Sequence, residues 1–196
     1  MTSLLAISAS PSAGSRTAAL TAHLVQLLAE AGFRTGHVRV RDLPAAELLA
    51  GRAESTVLRE ALDAVAAADG VVVASPVYNA AYSGLLKTFL DVLPRSALAG
   101  KTVLPVMTGG SLAHALAPDY ALRPVLTALG ARYVVRGAFV LDGAIEPRDG
   151  GPPRLAPDAA PRLERAVADF LAALPSEAPG ELPTAGRSGP GALARR

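Results

Sequence analysis

The sequence predicts a single α/β domain built on a doubly wound, five-stranded parallel sheet with helices on both faces. Two observations carry this prediction. Short apolar runs alternate along the chain with longer segments whose apolar residues recur at helical spacing. One of the runs, at residues 70–74, is continuously apolar and rich in valine, which is typical of a parallel strand buried on both faces.

The predicted strands lie at residues 4–7, 37–40, 70–74, 102–107 and 133–141. The predicted helices lie at residues 15–32, 54–68, 83–93, 112–129 and 158–174. Pro118 and Pro124 fall inside the fourth helix, so a continuous regular helix is not expected there. We expect residues 42–49 to be irregular because of Pro44, and the Gly- and Pro-rich residues 142–157 to form a loop.

Length and composition are consistent with one domain over residues 1–174. With 196 residues, of which 51% are hydrophobic, the chain is long enough for one well-buried core. Aromatic residues make up only 4%, so the core must be built mainly from alanine, leucine and valine. Residues 175–196 contain mostly proline, glycine, serine and alanine, and this composition predicts a disordered tail.

Composition also excludes several classes of function. The chain contains no cysteine, so any redox chemistry must come from a bound cofactor. The net charge is only +2 and the basic residues are scattered, which argues against nucleic acid binding. The histidines lack metal-ligand spacing and there is no GxSxG hydrolase motif. No apolar stretch is long enough to span a membrane, and we expect a soluble, cytoplasmic protein.

Ligands of doubly wound sheets bind outside the carboxyl ends of the strands, so the loops after the first, third and fourth strands are candidate binding segments. The first loop, residues 8–17, supplies hydroxyls, backbone N–H groups and Arg16 at the start of a helix. It matches neither GxxxxGK[ST] nor GxGxxG, so a monophosphate is favoured over a nucleoside triphosphate or a dinucleotide. The alternative is that the Ser/Gly cluster only caps the helix.

The second loop, residues 75–87, contains Pro76, which stiffens the backbone, Tyr78, which offers an aromatic face, and Gly84, which permits close approach of a planar ring. The third loop, residues 108–111, has two glycines whose N–H groups suit a ring carbonyl and a ring nitrogen. Alone, the tyrosines would more often be packing residues, and the glycine pair an ordinary turn.

In this order and at these strand ends, the loop sequences resemble a known family. SxSPSxxSRT, SPVYNAAYSGLLKTFLD and TGGS are similar to the NADPH-dependent FMN reductases of the flavodoxin-like superfamily, and the resemblance covers about residues 4–174. It implies the strand order 2-1-3-4-5, FMN as cofactor, and NADPH or NADH as hydride donor. AAYSGLLKTFLDVLP and LAGKTVLPVMTGGSLAHALAPDYALRPVL are closest to the FMN reductase component of two-component alkanesulfonate monooxygenases.

The resemblance assigns three groups of residues to the flavin site. The residues that would hold the FMN phosphate are Ser10, Ser15, Arg16 and Thr17. Those at the edge of the ring are Pro76, Val77, Tyr78 and Asn79, and those that would hold the isoalloxazine are Thr108, Gly109, Gly110 and Ser111. Asn79 stands where the alkanesulfonate branch has lysine, and Ser111 where it has threonine, so these positions bear on fine specificity.

In the alkanesulfonate branch, a tyrosine that corresponds to Tyr120 creates a π-bulge at the tetramer interface, near the flavin. Tyr120 is therefore a candidate gating residue, although it could also be only a packed aromatic. No catalytic side chain is expected, because hydride passes from nicotinamide C4 to flavin N5 without an acid or base from the protein. The resemblance implies a homo-oligomer, a tetramer or a dimer, that supplies reduced FMN to a partner monooxygenase in sulfur assimilation.

Three alternatives stay open on the sequence alone. The protein could retain FMN and reduce a quinone, an azo dye or a metal ion. It could be a flavodoxin-type electron carrier without NAD(P)H activity, although flavodoxins are typically acidic and this chain is slightly basic. It could also be a phosphate-binding α/β domain with another role. The choice between NADPH and NADH is not marked by any fingerprint that the sequence shows.

Overall fold

The structure, a computed structural model, describes residues 1–12, 14–148 and 151–175. The strands of its main sheet are β1 (Ser3–Ser8), β2 (Arg34–Arg39), β3 (Gly70–Tyr78), β4 (Ala81–Tyr82), β5 (Thr102–Gly109), β6 (Tyr133–Val134) and β7 (Ala138–Leu141). A separate hairpin consists of β8 (Ile145–Arg148) and β9 (Gly151–Leu155). The helices are α1 (Arg16–Glu30), α2 (Ala45–Ala50), α3 (Thr56–Ala67), α4 (Gly84–Val92), α5 (Arg123–Ala128) and α6 (Ala160–Ala172).

The strands of the main sheet run in the order β2-β1-β3-β5, with β6 and β7 both pairing with β5 in parallel. If β6 and β7 are counted as two parts of the predicted fifth strand, this order is the predicted 2-1-3-4-5. The short strand β4 adds to the end of β3 in the antiparallel direction. The parallel strands end together at one edge of the sheet, which brings the three candidate loops to the same side of the molecule.

Side chains of successive residues in each strand point to opposite faces of the sheet, so a core layer forms on each face. Leu5 and Ile7 of β1 belong to the layer that packs against α3 and α4, whereas Leu4 and Ala6 belong to the layer that packs against α1 and α6. The Val-rich run of β3 is fully buried, as its continuous apolarity predicted. The layer that contains α6 packs closely against β3 at Gly70, where a Cβ atom would lie within 3 Å of side-chain atoms of Phe170, Leu174 and Leu4.

The predicted fifth strand is interrupted, and Pro105 of β5 explains why. Val135 N–H donates to the carbonyl of Val103 (3.0 Å), so the odd-numbered residues of β5 direct their backbone groups towards the fifth strand. Pro105 lies on this side and has no N–H to donate. The pairing therefore stops after β6 and resumes only at β7, and the prediction of a continuous strand over residues 133–141 is wrong in its middle.

Two further expectations are corrected. Residues 142–157 were expected to form a loop, but they contain the β8–β9 hairpin, in which Ile145 is buried opposite Leu155. A two-stranded ribbon has outward-facing edges that tolerate prolines, which is why the prolines of β9 do not prevent pairing. Residues 42–49 are more regular than expected, because a 3-10 turn at Val40–Asp42 is followed by α2 directly after Pro44.

The other helix and strand boundaries differ from the predicted ones only in detail. The edge strand β2 begins at Arg34, three residues before the predicted start at residue 37, since its polar ends give no apolar signal. The helix predicted over residues 112–129 is broken, as the prolines indicated, into a 3-10 turn (Leu112–His114), a π-helical turn (Pro118–Leu122) and α5. The predicted tail lies outside the described residues from residue 176 onwards. Among the described residues, no helix is both long and apolar enough to cross a membrane.

Candidate functional site

The first loop leads from β1 into α1 and places its hydroxyls around the start of that helix. Ser15 is the N-cap of α1, and its Oγ accepts a hydrogen bond from Ala18 N–H (3.1 Å). The capping interpretation is thus correct for Ser15, whose O–H can still donate to an anion. Ser10 and Thr17 are buried, whereas Arg16 is exposed in the first turn of α1. The positive end of the helix and these donors form a setting suited to phosphate.

Buried hydrogen bonds join the first loop to the second. The Oγ of Ser83 donates to the carbonyl of Ala9 (2.6 Å), and the N–H of Ser83 donates to the Oγ of Ser75 (2.9 Å). Ser83 also caps α4, because its Oγ accepts from Leu86 N–H (3.1 Å). One serine therefore ties the end of β1, the end of β3 and the start of α4 together.

The first loop is also joined to the third. The hydroxyls of Thr17 and Thr108 lie 2.7 Å apart and share a buried hydrogen bond. Thr17 is in α1 and Thr108 is near the end of β5, 91 residues later in the chain. The three loops that the sequence singled out are therefore linked by buried hydrogen bonds at the carboxyl edge of the sheet.

The second loop forms a tight two-residue hairpin between β3 and β4. Asn79 and Ala80 occupy its centre with φ values of 48° and 64°, the left-handed geometry of a type I′ turn. Asparagine tolerates this region, but alanine does so only at a cost of about 1–2 kcal/mol. Among the predicted ring-edge residues, Val77 packs into the core, whereas Tyr78 and Asn79 project outwards.

In the third loop, the two glycines have different surroundings. A Cβ atom at Gly109 would lie 3.2 Å from the ring of Phe139, so the ring would have to shift by a few tenths of an ångström to admit a side chain there. A Cβ atom at Gly110 would meet no protein atom within 4 Å, so the backbone there is open to a ligand. Ser111 is exposed, and its Oγ accepts from Ala113 N–H (3.2 Å) at the start of the following 3-10 turn.

Tyr120 lies in the π-helical turn that follows the third loop. It is 78% exposed, and Leu116 and Leu112, four and eight residues earlier in the chain, are also more than half exposed. Arg123 holds this segment in place, because its guanidinium bonds to Asp119 Oδ1 (2.8 Å) and to the carbonyls of Val134 and Val135 in the fifth strand. These three exposed apolar side chains lie on the segment that directly follows the third loop.

Two basic residues, one in β2 and one in the turn that follows it, approach the first loop, and no sequence pattern marked either of them as part of the site. His37 Nε2 lies 2.9 Å from Ser8 Oγ, and Arg41 Nη1 donates to the carbonyl of Ser12 (2.6 Å). Burial, followed by the nearby charge of Arg39, lowers the pKa of His37 below its ordinary value, and Asp42 opposes that shift. The predicted order places β2 next to β1 and so brings the end of β2 near the first loop, but it does not give the direction of either side chain.

The donor set fits FMN. Hydroxyls and a helix start occupy the first loop, and the backbone at Gly14 and at Gly110 is open on the side where a Cβ would stand. Within the part of the chain that the structure describes, no three side chains are grouped so as to hold a metal ion. A parallel sheet of order 2-1-3-4-5 defines the flavodoxin-like class of α/β fold, in which ligands bind at the switch point between β1 and β3.

Comparison with known proteins gives the family within that class. A model of the NADPH-dependent FMN reductase family matches residues 2–146. The chain belongs to this family of FMN-reducing enzymes, which use NADPH or NADH.

Three similar proteins illustrate the match. The "FMN reductase (NADPH)" of Pseudomonas putida KT2440 is 45% identical over 150 residues, which cover 76% of each chain. The "FMN reductase (NADPH)" of Escherichia coli K12 is 39% identical over 171 residues, covering 87% of this chain and 89% of that one. A crystal structure described as an apo form of NADH:FMN oxidoreductase (EMOB) superimposes with a TM-score of 0.81 at 44% identity, covering 90% of this chain and 92% of that one.

The Thr17–Thr108 hydrogen bond generates a first prediction. Thr17→Val and Thr108→Val should each lower the free energy of unfolding by about 1–2 kcal/mol, because each leaves a buried hydroxyl unpaired. The double variant should lose less than the sum, since it leaves no hydroxyl behind. Urea unfolding followed by circular dichroism measures all three. Thr127→Val, which removes an exposed hydroxyl, is the matched control, and strictly additive losses would contradict the prediction.

The lowered pKa of His37 generates a second prediction. The folded state favours the neutral imidazole, so stability is fully present above the ordinary pKa of 6.5 and is lost as pH falls from there through the lowered pKa of the folded state. Burial lowers the pKa of His23 as well, so His23→Gln is the reference protein. Adding His37→Gln should flatten the dependence of unfolding free energy on pH between about pH 7 and pH 5. Parallel curves for the two proteins would show that His37 contributes nothing.

Proposed function

We propose that this enzyme treats FMN as a substrate and releases the reduced flavin to a flavin-dependent monooxygenase of the alkanesulfonate type, in the cytoplasm. The observation that carries the proposal is the joining of the three loops by buried hydrogen bonds, with an exposed tyrosine in a π-helical turn that follows the third loop. π-helical turns inside helices are frequently found at functional sites. Tyr120 thus marks a point where flavin exchange and subunit contact can be coupled.

We assign the phosphate of FMN to the first loop. Ser15 and Thr17 stand at the N-terminus of α1, where the hydroxyls and the unpaired N–H groups of the first turn favour an anion. Ser10 contributes a buried hydroxyl from the strand end, and the exposed Arg16 adds a positive charge at the rim. The buried hydrogen bond between Thr17 and Thr108 holds the first loop against the third loop, which we assign to the ring.

We assign the isoalloxazine to the second and third loops. Pro76 and the strained turn around Asn79 form a stiff edge, with Tyr78 half exposed beside it. The open backbone at Gly110 and the exposed hydroxyl of Ser111 would be the groups that bind the polar atoms of the ring. When bound, FMN supplies the acceptor for hydride from nicotinamide at N5, and the chain needs to contribute only position and electrostatics.

We further propose that the apolar row of Leu112, Leu116 and Tyr120 is covered by a second copy of this chain. Three large apolar side chains within nine residues are more than half exposed, and clustered exposed apolar side chains mark protein–protein contact sites. The row adjoins the third loop, so a subunit seated on it would lie next to the flavin. A tetramer or a dimer would then limit how flavin enters and leaves.

A turnover experiment tests the release of flavin. Oxidation of NADPH and NADH is followed at increasing FMN concentrations, with and without a flavin-dependent luciferase that reports free reduced FMN. We expect many turnovers per enzyme, light emission from the luciferase, and loss of FMN from the protein on dialysis. Protein that stays yellow after dialysis and reduces a quinone without emission from the luciferase would instead identify a flavin-retaining reductase. Absence of nicotinamide oxidation would leave only an electron carrier or a binding domain.

The proposed subunit contact makes its own prediction. Tyr120→Ser and Leu116→Ser should shift the protein towards smaller species in light scattering coupled to gel filtration, because each removes apolar area from the contact. Leu49→Ser is the matched control, since Leu49 is as exposed as Tyr120 and lies on α2. A mass that is the same for all four proteins would overturn the proposed contact.

A further inference from the structure

Arg41 reaches from the end of β2 into the middle of the first loop. It lies in the 3-10 turn Val40–Asp42, and its Nη1 donates to the carbonyl oxygen of Ser12 at 2.6 Å, across 29 residues of sequence. Only about a quarter of its side chain is exposed, at 26%. The guanidinium therefore bonds directly to the backbone of the first loop.

We propose that Arg41 is a positioning residue that sets the first loop for the phosphate of FMN and so favours FMN over riboflavin. The inference rests on the proposed placement of the phosphate in this loop. Riboflavin carries the same ring and ribityl chain but lacks the phosphate. A residue that acts on the phosphate loop should therefore affect FMN and leave riboflavin nearly unchanged.

The physical argument has two parts. A loop rich in serine and glycine loses conformational freedom when it closes around a ligand, and a bond that holds it beforehand reduces that cost. The carbonyl of Ser12 carries partial negative charge that opposes an anion in the same loop. A charge-assisted bond from the guanidinium compensates that charge and brings a permanent positive charge to the loop.

A neighbouring arginine provides the matched control. Arg39 Nε lies 3.0 Å from Asp42 Oδ2, and Arg41 Nε lies 3.4 Å from the other oxygen of the same carboxylate. Arg39 is more exposed, at 57%, and the described residues show no hydrogen bond from it to the first loop. Arg39→Gln thus removes the same charge from the same turn without touching Ser12.

The experiment measures dissociation constants for FMN and for riboflavin by quenching of flavin fluorescence, in the full-length chain. Arg41→Gln should weaken FMN binding about tenfold, with less than about a twofold change for riboflavin. Arg41→Lys keeps the charge but not the planar donor, and it should recover part of the loss. Arg39→Gln should match the parent protein for both ligands. With FMN at saturation, kcat should stay within about twofold of the parent, so that the effect appears in KM.

The outcomes separate this inference from the proposed function. If the parent protein binds FMN no better than riboflavin, the placement of the phosphate is wrong. If the parent prefers FMN but Arg41→Gln keeps that preference, or weakens both flavins equally, Arg41 does not act on the phosphate. Thermal unfolding is measured for each variant to check that the variant is folded. Should Arg41→Gln fail to fold, the ratio of the two constants in Arg41→Lys decides, and a ratio equal to the parent's overturns the inference.

Discussion

The site depends on a small set of buried hydroxyls that satisfy backbone groups where the parallel strands end. At that edge the strands part, and the peptide groups of the connecting loops lose their partners in the sheet. Ser83 supplies three of the missing bonds at once, to Ala9, to Ser75 and to the first turn of α4. Thr17 and Thr108 close the other side. Without these bonds, three loops that are distant in sequence would have no common geometry.

The same bonds allow the structure to keep a strained turn at the site. Ala80 stands in the left-handed region directly after Asn79, where alanine is disfavoured. The hairpin is held by pairing of Val77 with Tyr82, and the residue after Tyr82 is the tightly bonded Ser83. Strain of this kind persists only where the surroundings determine the backbone conformation. The edge assigned to the flavin ring is therefore stiff before any ligand arrives.

Much of this could be predicted from the sequence, because it depends on local patterns. The Val-rich run of β3 indicated the centre of a parallel sheet, and the alternation of strands and helices then located the three loops. The contacts of His37 and Arg41 with the first loop could not be read in this way, since each spans 29 residues and depends on side-chain direction. The β8–β9 hairpin was missed because its prolines and glycines are the residues that usually mark a loop.

A missing N–H group in the sheet is linked by hydrogen bonds to the turn that carries the exposed tyrosine. In a parallel ladder, the residue whose N–H bonds to Val103 offers its carbonyl to the N–H of residue 105. That residue is Val135, and Pro105 has no N–H, so the carbonyl of Val135 is left to another donor. Arg123 is that donor: its Nη2 lies 3.1 Å from the carbonyl oxygen of Val135, and the same guanidinium binds Asp119. Gly137 meanwhile permits Pro118 and Pro105 to approach, since a Cβ there would lie within about 3 Å of both. The carbonyl left free by Pro105 thus binds Arg123, and Arg123 also binds Asp119 in the π-helical turn that carries the exposed Tyr120.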